Sequence, residues 1–252
     1  MTQPTPSNDQ HNYAFDCRGY IVRQSFLAPV EIQAAHDCLA KLSFTPESWH
    51  AAQHRASDIH LSDGLLRSLS ERLFEDPLTT QLINYPHRLL ESYAIARDYG
   101  ALDLHGGASE FLAGTSARDH SARTFIIAGR IYALRLKVLI YLDDVRLPED
   151  GRLAYVEGSH KAEFAFHRAF PRGREDAHHL IRTIEVRAGD AVWLNEALLH
   201  GAEAKTSASR RRLLAYTFGP SFMASWSDLM PQSMTRAGYA AAENETPQDG
   251  SK

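Results

Sequence analysis

Apolar residues recur at helical spacing in the first third of the chain and gather into short dense runs after it. Pro29 opens a stretch in which Ile32, Ala35, Leu39 and Leu42 share one helical face, and a proline costs least in the first turn, where its missing N–H has no partner to lose. Leu66, Leu69 and Leu73 form a second stripe; Pro77 restarts the helix, and Leu78 and Leu82 continue an apolar face. A short apolar strand is predicted at residues 20–22, ahead of these helices.

From Leu89 onward the pattern turns to β-rich pieces: "LLESYAI", "ALDLH", "TFIIAGRIYALRLKVLIYLDDV", "LAYVEGS", "IRTIEVRAGDAVWL" and "RRLLAYTFG". Gly, Pro or Asp bounds many of them, and no helices are interleaved as βαβ units would require. The pattern predicts a mainly β protein with flanking helices, an antiparallel barrel or double-sheet jelly roll whose N-terminal helices cover one sheet. Phe222, Trp226 and Leu229 share a helical face, which predicts one last short helix packed back on the barrel. Residues 13–240 are expected to form a single domain. The polar ends, 1–12 and 241–252, have little to bury and are expected to be flexible tails.

Composition narrows the classes. A net charge of −4 argues against a general binder of nucleic acid or anionic membrane. Cys17 and Cys38 have neither metal-ligand spacing nor the number a disulfide framework needs. With no basic-then-apolar leader at the N-terminus and no apolar run of about 20 residues, a cytoplasmic protein is expected.

The candidate chemistry lies in three places. His105, in "LHGG", and His200, in "LLHGAE", each stand at a strand end beside glycine, and strands that face each other in a small barrel can bring two such imidazoles together. Imidazole suits iron, copper, nickel and zinc; taken singly, each histidine fits equally well as a hydrogen-bonding group at a strand end. Arg210, Arg211 and Arg212 follow His200, and alternation on a strand sets Arg211 opposite to its neighbours, so only one of the two faces points inward. A guanidinium fork can grip a carboxylate in two places. The third is "LDDVRLPEDGRLAYVEGSHK", which is turn chemistry around Pro148–Gly151 and Gly158–Lys161. Between His105 and the next long strand a polar segment carries Arg118, His120 and Arg123, suited to an anionic group such as phosphate, and Arg130, Arg135 and Lys137 add positive charge.

In this order the stretches resemble the phytanoyl-CoA dioxygenase family of iron(II)- and 2-oxoglutarate-dependent oxygenases. The entry "FDCRGYIV", the central "DDVRLPEDGRLAYVEGSHK" and "AGDAVWLNEALLHG" with Arg211 after it are similar to that family's three signatures over about residues 13–220. The resemblance implies a double-stranded β-helix of the cupin-like jelly-roll type, with His105 and His200 as metal ligands and Arg211 on the distal carboxylate of 2-oxoglutarate. It also implies iron(II), 2-oxoglutarate and O2 as cofactors for attack on an unactivated C–H bond.

Two residues depart from the family pattern. Glu157 stands where proline commonly precedes "GSH", and Gly107 stands where the ligand aspartate of an H-x-D pair belongs. A glycine leaves that coordination place open to an exogenous anion, which is the feature shared by halogenases resembling this family; chloride is then a further cofactor and Gly107 the halide position. Asp103 and Glu110 offer carboxylates by unusual paths, Asp103 lying on the same strand face as His105 but roughly 6 to 7 Å further along. The expectation is a halogenase acting on a small free metabolite, with a nucleotide held by Arg118, His120 and Arg123 as the specific case. A hydroxylase with water in the gap and a non-catalytic β-barrel binding module are the alternatives.

Overall fold

The computed structural model describes residues 8–47, 50–106, 124–128, 130–162, 166–170 and 172–222. The chain starts with helix α1 (Asn8–Arg18) and the short strand β1 (Tyr20–Arg23), so regular structure begins inside the stretch expected as a tail. Helix α2 (Pro29–Leu39) opens on its proline, and the Ala28 N–H donates to the Glu31 carboxylate at 2.8 Å, which meets one of the orphan donors of the first turn. After β2 (Thr45–Glu47) and β3 (His50–Ser57) come α3 (Gly64–Phe74) and α4 (Pro77–Ile83). Asp63 and Asp76 cap these two helices by accepting from the N–H groups of Leu65 and Leu78. Asp76 also pairs with Arg23, which ties α4 to β1.

The remaining strands are β4 (His87–Arg97), β5 (Gly100–His105), β6 (Thr124–Ile127), β7 (Arg130–Ala133), β8 (Leu136–Tyr141), β9 (Leu153–Val156), β10 (Ile181–Ile184), β11 (Ala191–Asn195), β12 (His200–Lys205) and β13 (Arg211–Pro220). They pair antiparallel into a seven-stranded sheet, β1-β11-β8-β13-β4-β3-β2, a four-stranded sheet, β10-β9-β12-β5, and a hairpin, β6-β7. This is the jelly roll implied by the family resemblance and one of the two architectures the strand pattern left open, and no helix among the described residues is long and apolar enough to cross a membrane.

The large sheet is buried on both faces, which explains why its central strands read as unbroken apolar runs. On the helix side, Leu66, Leu69, Leu73, Leu78 and Leu82 pack against Val138, Ile140, Trp193, Leu214 and Tyr216. The two polar tips in that core are satisfied: Trp193 Nε1 donates to Thr79 Oγ1 at 3.1 Å and the Tyr216 hydroxyl donates to the Leu66 carbonyl at 2.9 Å. Alternate residues of the same strands, among them Tyr93, Ile95, Leu139, Tyr141, Val192 and Leu213, face the small sheet and meet Leu153 and Tyr155 there. The site lies on this inner side.

Three stretches differ from what the sequence pattern shows or lie partly outside the described residues. Leu42 falls beyond the end of α2 yet still packs on the core. The β2–β3 hairpin escaped the pattern because "TPE" and "HAAQHRAS" lack an apolar alternation, and Pro46 is tolerated because β2 is the sheet's edge. Of the expected last helix, only Phe222 is described: it is exposed, with its ring 5.8 Å from that of Tyr85, and Trp226 and Leu229 lie outside the described residues.

Candidate functional site

His105 ends β5 and His200 opens β12, and the antiparallel register sets the two directly opposite, with Tyr155 of β9 next in the same row. Their ring centroids are 4.4 Å apart at an interplanar angle of 52°. Each ring is oriented by a backbone carbonyl: His105 Nδ1 is 2.9 Å from the Asp103 oxygen, and His200 Nδ1 is 2.7 Å from the Leu198 oxygen. A carbonyl can only accept, so both Nδ1 atoms carry the proton and both lone pairs sit on Nε2. Backbone orientation of this kind is what metal-bound histidines use to fix ring and tautomer.

Electrostatics keep the rings neutral. Burial drives the His200 pKa well below its ordinary value, and His105 and Lys137 push it further in that direction against the Leu198 carbonyl. Burial likewise lowers His105, with the Asp103 carbonyl opposing and Lys137 assisting. His105 is exposed to solvent, and its shift is the smaller of the two. Neutral imidazoles with lone pairs on adjacent Nε2 atoms suit a first-row transition metal.

Two glycines allow the close approach. Gly106 has φ of +82°, and a Cβ there would stand 2.9 Å from the Glu196 carbonyl oxygen. At Gly201 a Cβ would stand 2.5 Å from the Leu102 oxygen and 2.7 Å from that of Asp103, so β12 can lie this near β5 only without a side chain. The β5–β12 ladder is irregular on both sides of Ala202. Arg174 Nη2 donates across the gap to the Leu102 and Ala202 carbonyls at 2.6 and 3.0 Å.

Among the described residues, no group of three or more His, Cys, Asp or Glu forms a metal cradle. The backbone of Asp103 serves His105, and the residue itself is exposed. Gly107, Glu110, Arg118, His120 and Arg123 all lie outside the described residues.

Arg211 is buried at the start of β13, where its Nη2 donates to the Tyr141 hydroxyl at 3.2 Å. The alternation expected of the arginine run is observed: Arg210 pairs with Asp98 and Arg212 with Asp143 on the outer side. Directly opposite Arg211 on β4 stands Arg97, which sequence reasoning missed because it closes an otherwise ordinary strand. Arg97 donates from Nε to Gln53 Oε1 at 3.1 Å. Its pKa falls to about 9, through burial first and then through the neighbouring Arg211.

Lys137 was expected to add positive charge for an anionic ligand, and the structure corrects that: its ammonium is in contact with the Glu196 carboxylate. Burial pulls the Lys137 pKa down, but Glu196 and Tyr93 more than reverse it, so the lysine stays charged and matched. The other Glu196 oxygen, Oε2, is buried without a hydrogen-bond partner. Glu91 feels the charges of both Lys137 and Glu196, its pKa raised by burial against the pull of the lysine. The wall beside the histidines is therefore mixed in sign.

A family model described as phytanoyl-CoA dioxygenase (PhyH) matches residues 15–213. A search of curated protein sequences found no match. Among solved structures, HygX from Streptomyces hygroscopicus with nickel and 2-oxoglutarate bound is 30% identical, with 90% of each chain covered and a TM-score of 0.78. The same protein with nickel, 2-oxoglutarate and hygromycin B bound is 31% identical over 90% of each chain, at a TM-score of 0.76. The epimerase SnoN from nogalamycin biosynthesis shares the fold at 19% identity, covering 85% of this chain and 81% of its own, with a TM-score of 0.64.

Proposed function

This chain belongs to the phytanoyl-CoA dioxygenase family of iron(II)- and 2-oxoglutarate-dependent enzymes, and from that premise we propose that it oxidises an unactivated C–H bond of a small molecule. His105 and His200 would hold the metal through Nε2, and Arg211 would hold the distal carboxylate of 2-oxoglutarate. The observation that carries this reading is the pair of oriented, neutral imidazoles at the join of β5 and β12. Iron(II) with 2-oxoglutarate and O2 supplies the oxidising power. The chain supplies the two nitrogen ligands, a buried cationic grip, and an apolar wall of Ile95, Leu139 and Leu213 that keeps water from the space between the sheets.

The finer reading is halogenation. Gly107 has no side chain to give a metal, and a divalent ion with only two protein ligands attracts an anion such as chloride. Hydroxylation is the second reading, supported by the description of the matched family as a dioxygenase. The substrate is best read as a polar, hydroxyl-bearing small molecule, because the wall of Glu91, Lys137 and Glu196 is mixed in charge and a relative of this identity has hygromycin B bound. The anionic alternative is a nucleotide, which Arg118, His120 and Arg123 would hold.

Anaerobic titration of iron(II) and 2-oxoglutarate with and without chloride separates the two readings. Halogenation requires a chloride-dependent shift of the metal-to-ligand charge-transfer band, with a chlorinated product when O2 and a substrate are added. An identical band at both chloride levels, with an oxygenated product, would replace it by hydroxylation. Gly107→Asp should abolish halogen transfer while keeping the band itself, since the histidines and Arg211 remain.

A further inference from the structure

We propose that Arg97 is a second cationic residue of the 2-oxoglutarate site, acting with Arg211 as a two-guanidinium clamp on the distal carboxylate. The inference rests on the 2-oxoglutarate reading above and adds to it a residue that the arginine run after His200 does not contain.

Arg97 and Arg211 are direct cross-strand partners in the β4–β13 ladder. Side chains so placed start from Cβ atoms about 5 Å apart on one face, a position where like charges repel. Both residues are buried, Arg97 to 1% exposure and Arg211 to 4%. A buried charge ordinarily comes with an opposite one. Here the partners found are neutral: the Gln53 amide oxygen for Arg97 and the Tyr141 hydroxyl for Arg211. Arg97 Nη1 and Arg211 Nε are buried with no hydrogen-bond partner. Two facing guanidiniums with unused N–H donors and only neutral partners form a place for an anion with several acceptor oxygens.

The support behind Arg97 is built in the same sense. Gln53 is its direct partner on β3 and is buried to 4%. The Gln53 amide nitrogen donates to the Glu47 carboxylate, which turns its oxygen toward Arg97. The carboxylate is thus kept one residue away, so Arg97 is oriented without being neutralised by contact. Burial first, and then repulsion by Arg211, lowers Arg97's own affinity for its proton, and an anion bound between the two arginines would relieve the repulsion. A carboxylate has about four lone-pair sites, enough to accept from both forks at once.

The clamp predicts selectivity as well as affinity, because only the distal end of the cosubstrate can feel it. The test compares 2-oxoglutarate with 2-oxopentanoate, which has the same carbon chain and 2-oxo acid end but no distal carboxylate. Both are titrated calorimetrically into the nickel-loaded wild-type protein and into Arg97→Met, Arg97→Gln and Arg211→Gln. Met matches the length of the arginine stem and relieves the like-charge pair, so it guards against a Gln variant that fails to fold. The expected result is that each Arg97 variant lowers the preference for 2-oxoglutarate over 2-oxopentanoate by about tenfold or more, with little change for 2-oxopentanoate. An unchanged preference in the Arg97 variants, beside a lowered one in Arg211→Gln, would overturn the clamp and leave the 2-oxoglutarate reading standing. Equal weakening toward both ligands would also overturn it and make Arg97 a structural residue. If Arg211→Gln too kept the wild-type preference, the 2-oxoglutarate reading itself would fall.

Discussion

Lys137 and Glu196 show how a single side chain at this site is set by its neighbours. Removing one member of a buried pair leaves the other charge uncompensated, whereas replacing both by apolar residues removes two desolvation costs together. Glu196→Gln should therefore destabilise the fold by about 3–5 kcal/mol, and Lys137→Met with Glu196→Leu should lose much less, as read from urea midpoints at constant m. Equal losses in the single and double variants would mean that packing, not charge, dominates there. The pair was invisible in the sequence: Lys137 and Glu196 are 59 positions apart, and only the β8–β11 register brings them together. The strand-end places of His105 and His200, and the opposition of Arg211 to its two neighbours, were legible because glycine and strict alternation are local signals; that Arg211 is the inward one came from the family resemblance. Arg97 was not legible, because its meaning comes wholly from the residue opposite.

At the scale of the element, β12 is placed by what it lacks. Gly201→Ala would put a methyl group against the Leu102 and Asp103 carbonyl oxygens, which are backbone and cannot rotate away. The strand must shift, and His200 is the adjacent residue. The expected cost is about 1–3 kcal/mol in stability, with nickel or iron(II) affinity lowered about tenfold although both histidines remain; wild-type metal affinity in Gly201→Ala would show that the ladder tolerates the shift. Helices α2, α3 and α4 were readable from their apolar stripes and prolines, and the long strands of the large sheet from their apolar runs; α1, which has no such stripe and begins inside the stretch expected as a tail, was not. β12, "HGAEAK", and the β2–β3 hairpin were not, since their apolar content is low and their places are set by partners rather than by pattern.

For the whole molecule, the N-terminal helix is joined to the turn after β9 through His160, whose Nε2 donates to the Asp16 carbonyl at 3.0 Å. The ring is buried, and its Nδ1 has no partner. Burial lowers its pKa below 6.5, with the Asp16 carbonyl opposing and Lys161 adding to the fall. An unfolded chain therefore takes up a proton at a pH where the folded chain still refuses it. The stability that the neutral ring contributes is complete above about pH 6.5 and declines as pH falls toward the folded value. In metal-free protein, His160→Gln should make the loss of stability below pH 6.5 shallower by up to about 1.4 kcal/mol per pH unit, while an unaltered slope would assign the acid response to other groups. Strand density and the absence of interleaved helices foresaw a barrel or jelly roll, and the family resemblance chose the jelly roll. The sharing of one sheet between a helix-side core and a site-side core was not, because alternation alone does not tell which apolar face meets which partner.

His200 is flanked by neighbours on both sides of its strand, whereas β5, which carries His105, stands at the end of the small sheet among the described residues. Its ladder is interrupted, and the Arg174 bridge is the patch across the break. Edge strands with broken ladders are the places where a fold opens locally. A single ligand shared by His105 and His200 would fasten this edge to the middle of its sheet, stabilising it by an amount that grows with the logarithm of ligand concentration above the dissociation constant. Fraying of the edge and release of that ligand then become one event, and the rate at which β5 lifts sets a floor under how long the site can hold what it binds.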